Sequence, residues 1–354
     1  MTKLGKNLSM QRALRSTIVL LVVVATACGY EMAATATYEP PPATTPNDGL
    51  WLINGSRGIA TILRLSPTQL LTGGTVTAAT ESNTASASLF ALNSIAFDAS
   101  GTMWIASAAD SLLLAYPAAL LGASGLRPAR AVILPTNRSL SGPSGMAFDR
   151  KHRLWVENSL SGTLVRFDST QLITSGRPTP TAIIEGLTNP MGIAFDASGG
   201  LWVADGQSST VVRYSAAQLE LSGRLAPDVV LRATAHSLAS PVALAFDASG
   251  NLWVSNIGSG AMVEFSATQL AASGAPTPRV SLTSEPAFGL PVVLAFDAEQ
   301  SLWVLDVSGR LGQFSKSDLR EGGSKDPRVT VEIQDNSPLA GLAFFPKPRG
   351  LPLN

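Results

Sequence analysis

Short oxygen-bearing side chains recur at one position of this sequence, three residues after each of its six tryptophans. They are Asn54, Ser107, Asn158, Asp205, Asn256 and Asp306. Hard cations such as calcium favour carboxylate and amide oxygens, and Glu157 supplies an additional carboxylate beside this polar ring. One interpretation is therefore a site for a metal or polar ligand. The interpretation that we favour is structural, because Asn and Asp also end strands by accepting hydrogen bonds from nearby backbone N–H groups.

Histidine, a common general acid or base, occurs only twice in the sequence. His152 stands in the basic segment 150–153 and is predicted to be an exposed hairpin tip. His236 lies in a loop that leads into a later strand, and we expect it to be solvated. The sequence contains no nucleophile elbow, phosphate-binding loop or zinc-ligand spacing, so we assign no catalytic residue.

The tryptophans mark an internal repeat that must position these side chains. They recur at intervals of 47–53 residues, which is the length of a β-propeller blade. Five of them follow an apolar-Ala-Phe-Asp segment, and a sixth copy of its apolar-Ala-Phe part lies at residues 342–344. The tryptophans themselves are flanked by apolar residues, so we expect them to pack between blades rather than to stack on a ligand.

Each repeat is predicted to contain four short strands. In the copy spanning residues 241–282, the apolar runs 242–246, 252–255, 261–265 and 279–282 are separated by turn residues. Between the third and fourth runs, Ser266 and Gln269 form a capping-box pattern that predicts one or two helical turns. The pattern recurs at Ser66 with Gln69, where Pro67 occupies the favourable first helical position.

The ends of the repeat array predict how the ring closes. The first tryptophan has no Ala-Phe-Asp strand before it, whereas the last Ala-Phe segment has no tryptophan after it. We therefore expect residues 339–344 to pair beside residues 50–54, which leaves neither edge of that blade unpaired. The fold class predicted is all-β, a six-bladed β-propeller with four-stranded blades.

The repeat resembles the NHL type of six-bladed propeller, whose superfamily includes gluconolactonase-like calcium enzymes and virginiamycin B lyase. The resemblance covers residues 49–345, and its marker is the Pro-x-Gly-apolar-Ala-Phe-Asp-x-x-Gly-x-Leu-Trp-Val-x-Asp pattern of residues 190–205. It implies that calcium ligands would precede the innermost strands. The corresponding residues are Asn93, Ser144, Met191, Val242, Val292 and Ala340. Only Asn93 has a side chain suited to calcium, so we expect no calcium site of the lactonase kind; calcium remains the one cofactor considered.

The first residues have the order of a secretory signal. Basic residues precede an apolar run at 18–24, and small residues lead to Cys28, the only cysteine. The run is too short to span a membrane, and the small residues before the cysteine resemble a bacterial lipobox. We therefore predict a signal peptide at 1–27 and acylation of Cys28, for example with palmitate. Ala25 stands where leucine is commonest in the lipobox, so the alternative is cleavage by an ordinary signal peptidase. An Ala/Thr/Pro-rich tether at 28–48 would precede the propeller at 49–346 and a tail at 347–354.

Composition narrows the range of partners. Apolar residues make up 45% of the chain, which is enough for a large core, and Lys plus Arg balance Asp plus Glu at 25 each. This balance argues against a nucleic-acid partner. The sequence therefore predicts a lipoprotein of the bacterial envelope, held to a membrane through Cys28, with a non-catalytic propeller that binds a protein, glycan or small molecule. The alternative is a metal-dependent hydrolase or lyase of the gluconolactonase or virginiamycin B lyase type.

Overall fold

The protein is described here from a computed structural model. The structure describes residues 48–54, 61–78, 80–84, 92–122, 124–136, 139–234, 237–284, 288–333 and 339–346. Cys28 and the predicted signal peptide, tether and tail (347–354) lie outside these residues. No helix within these ranges is long and apolar enough to cross a membrane.

The described residues form short strands throughout. Those of the first half are β1 (Gly49–Asn54), β2 (Thr61–Leu65), β3 (Gly74–Val76), β4 (Thr80–Thr84), β5 (Leu92–Phe97), β6 (Met103–Ser107), β7 (Leu112–Tyr116), β8 (Gly125–Arg127), β9 (Ala131–Ile133), β10 (Pro143–Phe148), β11 (Leu154–Asn158), β12 (Thr163–Phe167) and β13 (Ala182–Glu185). Those of the second half are β14 (Pro190–Phe195), β15 (Leu201–Asp205), β16 (Thr210–Tyr214), β17 (Val229–Arg232), β18 (Pro241–Phe246), β19 (Leu252–Asn256), β20 (Ala261–Phe265), β21 (Val280–Thr283), β22 (Pro291–Phe296), β23 (Leu302–Asp306), β24 (Leu311–Phe314), β25 (Gly323–Ser324), β26 (Val329–Ile333) and β27 (Leu339–Phe345).

These strands build six four-stranded antiparallel blades arranged in a ring, as the sequence predicts. Blade one is β27-β1-β2-β4, and blade two is β5-β6-β7-β9. Blades three, four and five follow as β10 to β13, β14 to β17 and β18 to β21, and blade six is β22-β23-β24-β26. The four predicted runs of blade five agree with the observed strands to within one residue at each end.

Helical structure is limited to short turns between the third and fourth strands. The two helices are α1 (Pro67–Thr72) and α2 (Ala118–Leu121), and 3-10 turns occupy Ser169–Leu172, Gln218–Glu220, Gln269–Ala271 and Asp318–Arg320. The predicted capping box opens α1, where Ser66 Oγ accepts from the Gln69 backbone and Gln69 Oε1 accepts from the Ser66 backbone. Each turn buries one leucine, such as Leu70, under the blade edge.

The ring closes as predicted, through the pairing of β27 with β1. Leu52 lies opposite Leu342, and Trp51 lies opposite Ala343, in an antiparallel register. The last strand of the propeller is thus the innermost strand of the first blade, and its backbone groups are satisfied by pairing rather than left at an open edge.

The tryptophans pack between blades, as expected. Trp202 meets Phe246 of the next blade edge to face, with ring centroids 6.2 Å apart. Trp303 meets Phe344 in the same way at 6.4 Å, which joins blade six to the closing strand. In four of the described blades the Asp of the preceding turn accepts the indole N–H, as Asp196 Oδ2 does from Trp202 at 2.9 Å. The turn of each of these blades is therefore fixed to the inter-blade core.

A second set of contacts joins the blades near their outer strands. Among the described residues, each of the six junctions has a glycine segment of one blade in parallel pairing with the outer strand of its neighbour. The pairs are Val331 with Gly74, Ser82 with Gly125, Ile133 with Gly176, Ile184 with Gly223, Leu231 with Gly274, and Leu282 with Gly323. In three of them the preceding serine accepts a backbone N–H, as Ser273 Oγ does from Val230 at 3.0 Å. We call these contacts the glycine clasps.

Candidate functional site

A central channel runs between the innermost strands and has a cavity volume of about 340 Å³. The six positions that were expected just before the inner strands are instead the second residues of those strands, because each strand already begins to pair one residue earlier. All six line the channel: Asn93, Ser144, Met191, Val242, Val292 and Ala340. Leucine and methionine side chains such as Leu244 and Met146 complete much of the wall. The channel is thus mainly apolar, with polar side chains from Asn93, Ser94 and Ser144.

Two amides of the predicted polar ring hold the loops that enter the inner strands. Asn158 Oδ1 accepts from the backbone N–H of Ser141 at 3.0 Å, and its Nδ2 donates to the carbonyl of Ser139 and to Thr163 Oγ1. Asn256 Oδ1 accepts from the backbone N–H of Ala239 at 3.0 Å. Both amides are fully buried. They bond to backbone about 17 residues upstream, whereas a local Asx-turn was expected.

The two carboxylates of the ring are engaged in the same way. Asp205 accepts from the Thr188 hydroxyl and from the backbone N–H groups of Thr188 and Asn189, at 2.8–2.9 Å. Asp306 accepts from Gly289 N–H and also forms the expected local turn with Ser308 and Arg310. Burial raises the pKa of Asp306, but the hydrogen bonds from Ser308, Arg310 and Gly289 and the Arg310 charge outweigh this effect and hold it below its usual value.

The other two ring positions differ. Ser107 is buried and donates to Asp110 Oδ2 at 2.7 Å. Asn54 ends β1, and its backbone pairs with Thr61, but its side chain is outside the described part of the structure. The described ring is therefore a set of loop anchors around the channel mouth, and the metal or ligand role predicted for these residues remains a prediction.

Glu157 is the exceptional residue of this region. It is fully buried, its Oε1 accepts from Ser144 Oγ at 3.1 Å, and its Oε2 has no hydrogen-bond partner among the described residues. Burial, together with the nearby charge of Asp205, raises the pKa of Glu157 to about 8, although the Ser144 hydrogen bond lowers it. The carboxyl is therefore mostly protonated at neutral pH, and it lies behind a serine that lines the channel.

No other blade has a carboxylate at the position of Glu157. The equivalent residues are Ile53, Ala106, Ala204, Ser255 and Leu305. Glu157 pairs with Gly145, and a Cβ at residue 145 would lie 2.6 Å from Glu157 Oε1. The absence of a side chain at Gly145 thus makes the space that the carboxyl occupies. The sequence marks Glu157 as an additional carboxylate, but no local pattern in it indicates the pairing of Glu157 with Gly145.

The residues present do not fit the calcium site that the resemblance implies. Met191, Val242, Val292 and Ala340 offer no oxygen ligand from their side chains, and the carboxylates of Asp205 and Asp306 already accept several N–H bonds. Across the described ranges, no group of three or more His, Cys, Asp and Glu side chains is arranged to hold a metal ion.

The remaining candidate residues are divided between described and undescribed parts of the chain. His152 is exposed at the tip of a hairpin turn, as predicted. Its φ is positive, at 59°. His236 and Cys28 lie outside the described residues.

Comparisons with known proteins identify the kind of propeller. Residues 23–234 match the model of the family described as SMP-30/Gluconolactonase/LRE-like region. A search of curated proteins gave no match.

Solved structures share the fold at low identity. A chain of a nidogen/laminin complex superposes with a TM-score of 0.58 at 15% identity, covering 83% of this chain and 97% of that one. Catalytically inactive virginiamycin B lyase from Staphylococcus aureus with quinupristin gives 0.51 at 12%, covering 78% and 84%. A streptogramin B lyase structure gives 0.47 at 11%, covering 64% of this chain and 66% of the lyase, slightly under two thirds of its length.

Proposed function

Because the chain belongs to the SMP-30/gluconolactonase/LRE-like family, whose propellers surround a central channel, we propose that it is an envelope-anchored lipoprotein with a binding function. Its propeller is a non-catalytic platform that takes a small, largely apolar ligand in that channel. The observation that carries the proposal is the combination of a mainly apolar channel wall with the buried, hydrogen-bonded pair of Ser144 and Glu157.

The size and chemistry of the channel support a small ligand. Its volume of about 340 Å³ lies within the range of small-molecule sites, which are mostly apolar with a few placed polar groups. Met191, Val242, Val292 and Leu294 would bury an apolar body by removing its surface from water.

The polar pair would orient the ligand. Ser144 Oγ donates its proton to Glu157, so its lone pairs are left for an N–H or O–H donor on the ligand. Because burial raises the pKa of Glu157 to about 8, the carboxyl is mostly neutral at pH 7 and imposes little charge on the channel. A neutral ligand with an apolar body and one hydrogen-bond donor suits this arrangement.

The anchored loops support a platform role. Asn158, Asp205, Asn256 and Asp306 each fix the loop that enters their own blade's inner strand. A channel mouth held in this way is preorganised, and preorganisation reduces the entropy cost of binding.

A channel-filling variant tests the binding proposal. The probe is N-phenyl-1-naphthylamine, a neutral apolar dye with one N–H donor whose fluorescence rises in a dry site. We expect Val292→Trp to abolish saturable dye binding, whereas Leu71→Trp, at a position 78% exposed on α1, leaves it unchanged. Undiminished binding by a folded Val292→Trp variant would rule out the channel as the site.

The lipid anchor is tested in the same protein expressed in a bacterium. Cys28 follows small residues at the end of an apolar run, which supports acylation at this cysteine. We expect radioactive palmitate to label the wild type but not Cys28→Ser, and the variant to leave the membrane fraction. Palmitate labelling that persists in Cys28→Ser would refute the anchor.

Family membership keeps a metal-dependent hydrolase or lyase as the second candidate. Glu157 favours it, because a carboxyl with a pKa of about 8 beside a channel is suited to proton transfer. The carboxylates of Asp205 and Asp306 already accept several backbone N–H groups, and this weighs against a role for them as metal ligands of an enzyme. Calcium that raises the melting temperature, together with lactone hydrolysis lost in Glu157→Gln, would replace the binding proposal with this one.

A further inference from the structure

One residue of each third strand lies opposite the tryptophan of the second strand. In five blades this residue has a long polar side chain, and in blade two it is an alanine. The six are Arg64, Ala115, Arg166, Arg213, Glu264 and Gln313. Blade two therefore lacks a side chain that the rest of the ring possesses.

In blades three and four the long side chain covers the tryptophan. The guanidinium of Arg166 lies over the Trp155 ring at 5.8 Å and donates to the carbonyl of Leu219 at 2.8 Å. Arg213 lies over Trp202 at 6.0 Å and donates to Asp196 Oδ2 at 2.7 Å. Each arginine combines a cation–π contact with hydrogen bonds to an acceptor beside the ring.

Blade two has a cleft where these side chains would lie. The cleft has a volume of about 230 Å³, and its wall includes Asp98, Trp104, Ala115, Phe148 and Leu172. We call it the Trp104 cleft. It lies outside the central channel, since none of these residues lines the channel.

The acceptor in this cleft has fewer donors than its equivalents. In the other four turns with this aspartate, Oδ2 accepts from a side chain besides any tryptophan: Arg153, Arg213, Asn251 or Gln313. Within the described residues, Asp98 Oδ2 accepts only from Trp104 Nε1, at 3.3 Å. A carboxylate oxygen has room for a second donor.

We propose that the Trp104 cleft binds an alkylguanidinium group of a ligand, which takes the place that Arg166 and Arg213 occupy in blades three and four. The planar cation would lie over Trp104, with the carbonyl of Leu172 as its acceptor and the Asp98 carboxylate on the cleft wall to balance its charge. Leu172 is the counterpart of Leu219, whose carbonyl accepts from Arg166.

The neighbouring residues define the pose. Thr102 lines the cleft at the position of Gly200, where a Cβ would collide with the Arg213 guanidinium. The pose of Arg166 is therefore the one available, because blade three has Arg153 rather than glycine at that position. Arg130 and His152 also line the cleft, and the Arg130 charge opposes the bound cation.

The test uses indole N–H signals in ¹⁵N–¹H spectra of the whole protein, with Trp104 assigned through Trp104→Phe. The probes are acetyl-argininamide, which models an arginine side chain in a polypeptide, and agmatine, a free alkylguanidinium. Acetyl-citrullinamide is the matched neutral control. We expect a saturable shift of the Trp104 signal with a guanidinium probe and none with citrullinamide. If only agmatine binds, the ligand of the cleft is a free small molecule. If both agmatine and acetyl-argininamide bind, the cleft recognises the guanidinium group whether or not it belongs to a polypeptide.

Variants of the cleft complete the test. We expect Ala115→Arg to weaken binding at least tenfold, because its own guanidinium fills the cleft, whereas Ala272→Arg adds the same charge at an exposed position and leaves binding unchanged. If Ala115→Arg fails to fold, the Arg130→Ala variant provides the test instead. We expect it to bind the guanidinium probe severalfold more tightly, because it removes a positive charge that repels the probe. Equal binding of citrullinamide, no shift with either guanidinium probe, or weaker binding in Arg130→Ala would overturn the proposal.

Discussion

Glu157 Oε1 lies 2.6 Å from the place where a Cβ on residue 145 would have to be. Gly145 and Glu157 are cross-strand partners in blade three, so the two residues must change together. In blade five the same pair is Ala243 and Ser255, and the smaller Ser255 accepts from the Ala243 backbone at 3.1 Å. Blade three thus combines a glycine with a large carboxylic acid at these two positions, whereas blade five combines an alanine with a small serine.

This pairing predicts a compensated substitution. Gly145→Ala should lower the free energy of unfolding by about 1–3 kcal/mol, because the new methyl group overpacks the site. Adding Glu157→Ser, which recreates the blade-five pair, should recover most of the loss in urea unfolding. Gly176→Ala is the control, since a Cβ at residue 176 meets no atom within 4 Å. If the Gly145→Ala/Glu157→Ser variant loses as much unfolding free energy as the two single variants together, the two side chains are not coupled and the prediction is wrong.

The buried carboxyl also predicts that stability falls between pH 4.5 and about 8. The pKa of Glu157 is about 8 in the folded protein against an ordinary value of 4.5, so its contribution is intact below pH 4.5. It is lost as the pH rises to 8, at about 1.4 kcal/mol per pH unit. Glu157→Gln should therefore unfold at higher urea than the wild type at pH 9. Parallel stability curves for the two proteins across pH 5–9 would disprove this.

Asp196 predicts a dependence at the acid end. Burial raises its pKa, but hydrogen bonds from Arg213, Ser198, Trp202 and Gly200 outweigh burial and lower it. Its stabilisation is therefore present above its unfolded value of 3.8 and is lost as the pH falls through the folded pKa. Asp196→Asn should flatten stability below pH 4 and cost about 1–3 kcal/mol at pH 7. Acid denaturation identical to wild type would count against this role.

Asp205 predicts a local effect at the channel mouth. Asp205→Ala removes the acceptor for the backbone N–H groups of Thr188 and Asn189, at a cost of about 1–3 kcal/mol. Amide hydrogen exchange at these two residues should accelerate, while exchange in blade one stays unchanged. Glu321→Ala, at an exposed position, is the control and should change stability by less than about 0.5 kcal/mol. Protected amides in Asp205→Ala would show that the loop has another anchor.

Much of the fold was predictable because each repeat presents the same signals. The spacing of the tryptophans and the missing halves at the two ends were enough to predict six blades and the closure by residues 339–344. The positions of the six channel-lining residues followed from the same register. Repetition compensates for weak local signals, since each turn and strand can be compared with five others.

The side-chain partners were harder to predict. Asn158 and Asn256 were expected in local turns, but each accepts from a backbone N–H that lies 17 residues upstream, and no local pattern specifies such a contact. Ser-Gly segments, such as Ser273 with Gly274, recur visibly in the sequence, but their pairing with a neighbouring blade depends on the closed ring. The alanine at residue 115 could have been found by aligning the six third strands.

The pairing of β27 with β1 imposes an order on the making of this protein. The blade that is synthesised first is finished last, because its innermost strand is residues 339–345. While the ribosome adds the intervening blades, the inner edge of β1 has no strand to pair with, and its free backbone groups can pair with a wrong strand. A slow or interrupted end to translation would therefore leave an open ring rather than a smaller propeller.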